Sequence, residues 1–325
     1  MQFTPLPPAI PAKELYLHSG NAAPYAPRRE YLTMLVALYN RTFDEQDVPV
    51  ILHIIKLLED HKLQLVFYKE FYERLQPYYT YAGTPRFFTS KANLPLHTDM
   101  LFSLGGDGTM LDSICFVGNS GIPLIGINLG RLGFLAAIPE DEVEAAILSL
   151  VRGSYTLEKR TLIHLDSNIP LFDGSPFALN EFTLHRQDTS SMIKVHTYLN
   201  GEFLNTYWAD GLIVATPTGS TGYSLSCGGP VVFPQTSSFV ITPVAPHNLN
   251  TRPIVVPDDN VISFEIEGRS EQFMCTLDAR TEIIKSNVQL AVKKENFTVS
   301  LVRPDEHNFL NTIRQKLYWG IDKRN

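Results

Sequence analysis

Cysteine is scarce in this chain: Cys115, Cys227 and Cys275 are the only three in 325 residues, far apart and without a Cys-x-x-Cys pair. That pattern excludes a disulfide framework and a thiolate zinc site. The nine histidines include no His-Glu-x-x-His spacing, which disfavours a structural metal. No Gly-Lys pair occurs, so there is no Walker A loop, and no Gly-x-Gly-x-x-Gly, so the standard dinucleotide fingerprint is missing. No apolar run approaches the ~18 residues of a membrane helix. The Pro-rich start (Pro5, Pro7, Pro8, Pro11) lacks the basic-then-apolar order of a secretory signal. Positive charge is in deficit as well, with 27 Lys plus Arg against 34 Asp plus Glu and a formal charge of -7. No global field therefore exists to hold a nucleic-acid backbone or an anionic membrane, although a local anion site stays open. The expectation is a cytoplasmic protein with small-molecule partners, no nucleic acid and no membrane.

What is present is the balance of a folded chain, 44% hydrophobic and 19% charged, long enough for two domains. Up to residue 153 short apolar runs alternate with amphipathic segments, the pattern of a mainly parallel α/β sheet. Residues 14–18, 63–68, 100–104 and 123–127 read as strands. Val50, Ile51, Ile54, Ile55 and Leu58 recur at helical spacing after Asp47, a candidate N-cap, with Pro49 in the first turn. Residues 21–47 carry Leu32, Leu35, Val36 and Tyr39 at spacing that suggests a further helix outside the strand-helix count. A last helix starts at the acids after Pro139 and stops at Arg152-Gly153. Beyond Tyr155 the chain turns to short alternating runs (162–165, 178–184, 193–199, 202–207, 261–267, 281–284), with a hairpin signal at Asn200-Gly201. Residues 154–296 are thus expected to form a largely antiparallel β domain. A strand at 298–303 and a helix after it, within a segment 297–325, are expected to pack back on the first domain.

Gly105-Gly106-Asp107-Gly108-Thr109 stands between a buried strand and a helix, where open α/β sheets bind ligands. Gly105, Gly106, Gly108 and Thr109 form a turn whose N–H groups can approach phosphate oxygens, helped by the positive end of the helix. Asp107 is then a candidate general base or cation partner, because a carboxylate beside a polyanion is otherwise repelled. The plainer alternative is a Gly-Asp-Gly turn in which Asp caps the helix. Gly126 to Gly133 reads as a tight turn near the ligand, and His185-Arg186-Gln187-Asp188 as a strand end rather than a kinase catalytic loop. From Asp210 to Ser226 a buried strand feeds an uncharged loop of Ser, Thr and Gly with one aromatic, Tyr223. Such a loop suits a sugar and a base, and a solvated polar loop is the bland alternative.

These segments together resemble the NAD kinase family, which phosphorylates NAD to NADP. The glycine block is similar to that family's Gly-Gly-Asp-Gly-Thr, Asn128 to Leu135 to its Asn-x-Gly-x-Leu-Gly-Phe-Leu, Asn180-Glu181 to its Asn-Glu pair, and Asp210 to Pro230 and Val240 to Pro253 to its two later blocks. The likeness runs over residues 99–280. The first block alone is shared with diacylglycerol, sphingosine and 6-phosphofructokinase-type kinases, whereas the five in order are specific. The resemblance implies Asp107 as the base for the 2′-hydroxyl of the adenosine ribose, with Gly108 alongside. It implies NAD contacts at Asn180, Glu181, Asp210, Thr221, Gly222, Tyr223, Ser224, Leu225, Ser226 and Ala245. ATP with Mg²⁺ or another divalent cation is the implied donor, with no metal ligand nameable in the protein, and a homodimer or homotetramer the implied assembly. Gly222 and Cys227 stand where the family usually has Ala, Trp208 where a basic residue is frequent, and Asp278-Ala279-Arg280 where Asp-Gly-Gln is usual. The first 98 residues match poorly, and 21–47 look like an insertion. The rivals are a lipid kinase sharing the glycine block and a dinucleotide-sensing protein without turnover.

Overall fold

The computed structural model describes residues 34–130, 133–187, 191–304 and 309–319, all within one unit, Thr33–Asn325. The strand expected at 14–18 lies outside the described residues. The first half runs β1 (Leu35–Tyr39), α1 (Val48–Asp60), β2 (Gln64–Tyr68), α2 (Lys69–Leu75), β3 (Arg86–Phe88), β4 (Met100–Leu104), α3 (Asp107–Val117), β5 (Leu124–Ile127) and α4 (Val143–Arg152). β1 pairs in parallel with β2 and β4, β2 with β3, and β4 with β5. One face of this sheet buries Ile51, Ile54 and Ile55 of α1 and Ile147 of α4, and the other buries Met110, Ile114 and Val117 of α3. Covering both faces is what an all-parallel arrangement requires.

Two local expectations change. Of the stretch 21–47, read as a helix and as an insertion, residues 21–33 lie outside the described residues, while Leu35, Val36 and Tyr39 form no helix but β1, the strand between β2 and β4. Its five residues are buried on both faces, so no alternation distinguishes the run from helical spacing. Asp47 stands at the N-cap position of α1 as read, but its side chain makes no cap hydrogen bond to that helix. Its carboxylate accepts the backbone N–H of Asp44 at 2.9 Å, closing a 3-10 turn that leads into the helix, while Pro49 occupies the first turn as expected. α4 ends as read, on Gly153 in the left-handed region at φ 72°.

The second half contributes β6 (Tyr155–Ser167), β7 (Phe177–Ala178), β8 (Glu181–Arg186), β9 (Ile193–Leu199), β10 (Glu202–Ala209), β11 (Gly211–Ala215), the single-turn α5 (Tyr223–Ser226), β12 (Ser238–Val244), β13 (Ile254–Pro257), β14 (Ile262–Glu267), β15 (Gln272–Leu277) and β16 (Arg280–Lys285). β17 (Leu290–Pro304) and α6 (Phe309–Leu317) complete the chain. Six strands form a separate antiparallel sheet in the order β13-β12-β11-β8-β15-β16. The others extend the first sheet, which runs β10-β9-β14-β17-β5-β4-β1-β2-β3, with β6 and β7 branching from β17. The two sheets enclose a core that includes Leu184, Tyr207, Phe239 and Phe273, and Phe182 stacks on Phe264 at 5.3 Å. The β9–β10 hairpin turns on Asn200 and Gly201, both with positive φ, as their pairing predicts. The expected strand at 178–184 is broken, because Leu179 and Asn180 cross from one sheet to the other.

β17 joins the two halves. It pairs antiparallel with β14 and β6 and in parallel with β5 at Leu301–Leu124. α6 follows it back to the first half, where Lys316 Nζ lies 5.7 Å above the Phe134 ring. The architecture is a mainly parallel α/β first part and a largely antiparallel β second part.

Candidate active site

β4 delivers the chain into the glycine turn at the carboxyl edge of the parallel strands, and α3 leaves from it. Gly105 has φ 147°, and a Cβ there would come within 2.5 Å of Thr109 Oγ1. Nothing stands within 4 Å of the positions a Cβ would take on Gly106 and Gly108, so the approach is open. No side chain caps α3. Its first N–H groups therefore remain available to an anion.

Asp107 does not point into this opening alone. Its Oδ2 accepts the N–H of Phe134 at 2.9 Å, and its Oδ1 those of Leu135 and Ala136 at 3.0 and 2.9 Å. Three consecutive amides thus hold one carboxylate, and the returning loop is pinned to the first turn of α3. Gly133 makes the approach possible: a Cβ there would lie 1.8 Å from Asp107 Oδ1. Arg131 and Leu132 of the same expected block lie outside the described residues.

A second carboxylate does the same work across the crevice. Asp278, half-buried, accepts the N–H groups of Leu179, Asn180 and Glu181 at 2.8, 2.8 and 3.2 Å, and its own N–H returns to Glu181 O at 3.0 Å. Asp278 belongs to the Asp-Ala-Arg run that departs from the resembled family's Asp-Gly-Gln, and this side chain positions the Asn-Glu pair. Its φ of 53°, in the left-handed region, aims it there. Arg280 holds the neighbouring backbone, donating to Ser175 O at 2.6 Å and to Phe177 O, with its guanidinium over the Phe172 and Phe177 rings. Leu135 and Leu179, one from each pinned loop, share an apolar cluster with Met110 and Ile114 of α3.

Held this way, Asn180 and Glu181 present polar atoms with no protein partner: Asn180 Oδ1 and Glu181 Oε2 are both buried and unbonded. Gly219 and Gly222 let the loop before α5 pack on them, since a Cβ would lie 2.0 Å from Asn180 O at the first and 3.0 Å from Glu181 Oε2 at the second. Burial, with Asp278 adding to it, pushes the Glu181 carboxyl up to about 8, against the pull of the Tyr223 N–H. Tyr223 is also raised, first by burial and then by Cys227, Asp210 and Glu181, which places these groups around one ring.

The hydroxyl loop is less open than its composition suggested. Thr216 Oγ1 donates to Leu179 O and accepts from Gly219 N, Ser220 bonds Pro217 O and Val232 N, and Ser224 pairs with Thr242 at 2.8 Å inside the core. Ser224 thus faces inward, whereas Thr221, Gly222 and Leu225 are half-buried and Tyr223 and Ser226 exposed. Thr218 accepts from buried Arg160, which shares Glu158 with Arg303. Burial and then Arg303 push Arg160 down to about 10. Asp210 is paired with Arg186 at 3.0 Å. Ala245 is exposed at the end of β12 with φ 45°. Trp208 leans on His247 with ring centroids 5.0 Å apart. Asn180, Glu181, Gly222, Tyr223 and Asp210 are therefore brought together. The supports at Asp278, Arg280, Gly133 and Gly219 were missed, and only the Asp-x-Arg departure hinted at the first two.

Two outcomes follow from this geometry. Gly133→Ala should lower the unfolding free energy by about 1–3 kcal/mol, the usual range for overpacking, read from denaturant unfolding; an unchanged midpoint would show that the Asp107 loop yields freely. Glu181 keeps its proton to about 8 in the folded protein against 4.5 as its ordinary value. Between those pH values the folded state binds more protons than the unfolded one, so stability falls as pH rises. Glu181→Gln should therefore gain in unfolding temperature relative to the parent between pH 5 and pH 8, and a constant difference would contradict the burial.

Comparison with known proteins agrees with this construction. Residues 36–155 match the model of the ATP-NAD kinase N-terminal domain and residues 179–303 that of the ATP-NAD kinase C-terminal domain. The chain is 51% identical over 294 residues to the NAD kinase of Cytophaga hutchinsonii, covering 90% of this chain and 100% of that one. It is 44% identical to the NAD kinase of Flavobacterium psychrophilum with the same coverage. Among solved structures, yeast NADH kinase complexed with NADH superposes with a TM-score of 0.80 at 22% identity, covering 89% of each chain. An NAD kinase from Archaeoglobus fulgidus in complex with ATP gives 0.67 at 24% identity, covering 86% of this chain and 99% of that one. The matches begin at β1, inside the segment first read as an insertion. The chain belongs to the ATP-NAD kinase family.

Proposed function

We propose that this protein transfers the terminal phosphoryl group of ATP to the 2′-hydroxyl of the adenosine ribose of NAD, making NADP. The observation that carries the placement of the acceptor is the pair of buried, unpartnered oxygens, Asn180 Oδ1 and Glu181 Oε2. Buried polar atoms want partners, and ribose hydroxyls supply them. Asp210, Thr221, Gly222, Tyr223, Leu225, Ser226 and Ala245 would complete the dinucleotide wall, with Ser224 supporting it from within.

Gly105, Gly106, Gly108 and Thr109 would receive phosphate oxygens at the uncapped start of α3. An ionised carboxylate has about four acceptor positions, and the loop amides take three of those of Asp107. The remaining position, on Oδ2, is the one that would accept the proton of the 2′-hydroxyl. The three amides fix where that oxygen stands, so the reaction depends chiefly on alignment. Among the described residues no group of three His, Cys, Asp or Glu side chains gathers to hold a metal ion. A divalent cation, Mg²⁺ or another, would arrive on the phosphates of ATP and neutralise their charge. The proposal extends to a homodimer or homotetramer in the cytoplasm, to be checked by light scattering and fractionation.

Incubation of the purified protein with NAD, ATP and Mg²⁺ should yield NADP; none formed would reject the reading. Asp107→Asn should lose at least ~10²-fold in kcat with the KM for NAD within several fold, and full turnover would remove Asp107 from the proton transfer. An NAD analogue with hydrogen in place of the adenosine-ribose 2′-hydroxyl should compete with NAD at comparable concentration yet accept no phosphate. Its phosphorylation would mean that a different hydroxyl is attacked.

A further inference from the structure

Burial pushes the Asp278 carboxyl up, and three backbone N–H groups and Arg280 pull against it by favouring the charge. Glu181, whose amide is one of those three, has an Oε2 that meets neither cation nor N–H. The groups facing Glu181 from the surrounding elements are Asp278 from the β15–β16 turn, Tyr223 of α5 and Cys227 just after it, while Asp210, already paired with Arg186, faces the Tyr223 ring. Cys115 of α3 faces Asp278 from behind, as does Arg280. Two neighbouring carboxyls buried together cannot both ionise cheaply, and the charge settles where hydrogen bonds receive it. Asp278 has three of those bonds with Arg280 beside them, whereas Glu181 has one, from the Tyr223 N–H, and no cation. The proton therefore belongs on Glu181, at Oε2, the buried oxygen over which Gly222 packs without a side chain.

We propose that Asp278 is a positioning residue of the phosphotransfer site: its buried carboxylate fixes the backbone of residues 179–181 and makes Glu181 a neutral acid, whose Oε2 donates a hydrogen bond to the acceptor dinucleotide. A donor there recognises an oxygen acceptor on the ribose, whereas an ionised Glu181 could recognise only a hydroxyl proton. This rests on the reading that Glu181 touches NAD.

The test is the KM for NAD and for ATP between pH 6 and pH 9 in the parent, Glu181→Gln, Glu181→Ala, Asp278→Asn and Asp278→Glu. In the parent the KM for NAD should rise about fivefold or more as pH passes the value at which Glu181 ionises, with the KM for ATP following no such curve. Glu181→Gln, which cannot ionise, should flatten that curve. Asp278→Asn removes the charge, and should move the midpoint down by about one pH unit or more while raising the KM for NAD through the loosened backbone. Asp278→Glu keeps the charge but misplaces the carboxylate, and should raise the KM while leaving the midpoint in place; a merely structural residue would raise KM in both variants without separating their midpoints. If Asp278→Asn does not fold, Asp278→Ser replaces it with the same expected displacement. A midpoint that stays in the charge-removed variant, or a parent-like curve in Glu181→Gln, overturns the proposal. A parent-like KM for NAD in both Glu181→Gln and Glu181→Ala would instead overturn the reading that Glu181 meets the acceptor.

Discussion

Two carboxylates, each gripped by three consecutive backbone amides, are the constraint on which the site depends. Asp107 collects residues 134–136 and Asp278 residues 179–181. Loops at the edge of a sheet carry amides that strand pairing does not satisfy, and an unmet buried amide costs free energy. A charged acceptor meets three at once, with bonds stronger than neutral ones. Each loop thereby acquires a fixed course without a strand of its own, and the two courses lie against the same face of α3.

Close approach then dictates composition. Gly133, Gly219 and Gly222 sit where a Cβ would meet Asp107, the Asn180 carbonyl and Glu181 respectively. The Ser and Thr side chains around them serve chiefly to tie the loop to itself, with Thr216 bridging the Asn-Glu segment to the turn at Gly219. The site is thus rigid where it is polar, and its unpartnered atoms are few and aimed. Such an arrangement keeps the polar groups of the crevice in place before a ligand arrives, which reduces reorganisation on binding.

The glycine turn, the helix after Asp47, the Asn200-Gly201 hairpin and the change from parallel to antiparallel grammar were legible because each is written in contiguous residues. β1 was not, since a strand buried on both faces has no periodic signature of its own. The motif blocks named the family. What they could not convey is that Asp278, about a hundred residues from Asn180, holds it, or that Ser224 turns inward to Thr242. Those facts depend on which strands become neighbours, and β8 lies beside β15 only once the second sheet is assembled. Residue type alone made the hydroxyl loop look like a ligand surface, while hydrogen bonding made much of it a framework.

β17 lies between β14 and β5 and along β6, near the end of the chain yet at the middle of the large sheet. The chain emerges amino end first, so β5 and β14 are made with a gap between them that waits for β17, Leu290–Pro304. Until then the parallel half keeps an open edge at β5, and such edges invite pairing with other chains. Completion of the sheet therefore follows the making of both neighbours of β17, and the loops that each half contributes to the site acquire their final arrangement only after that strand is in place.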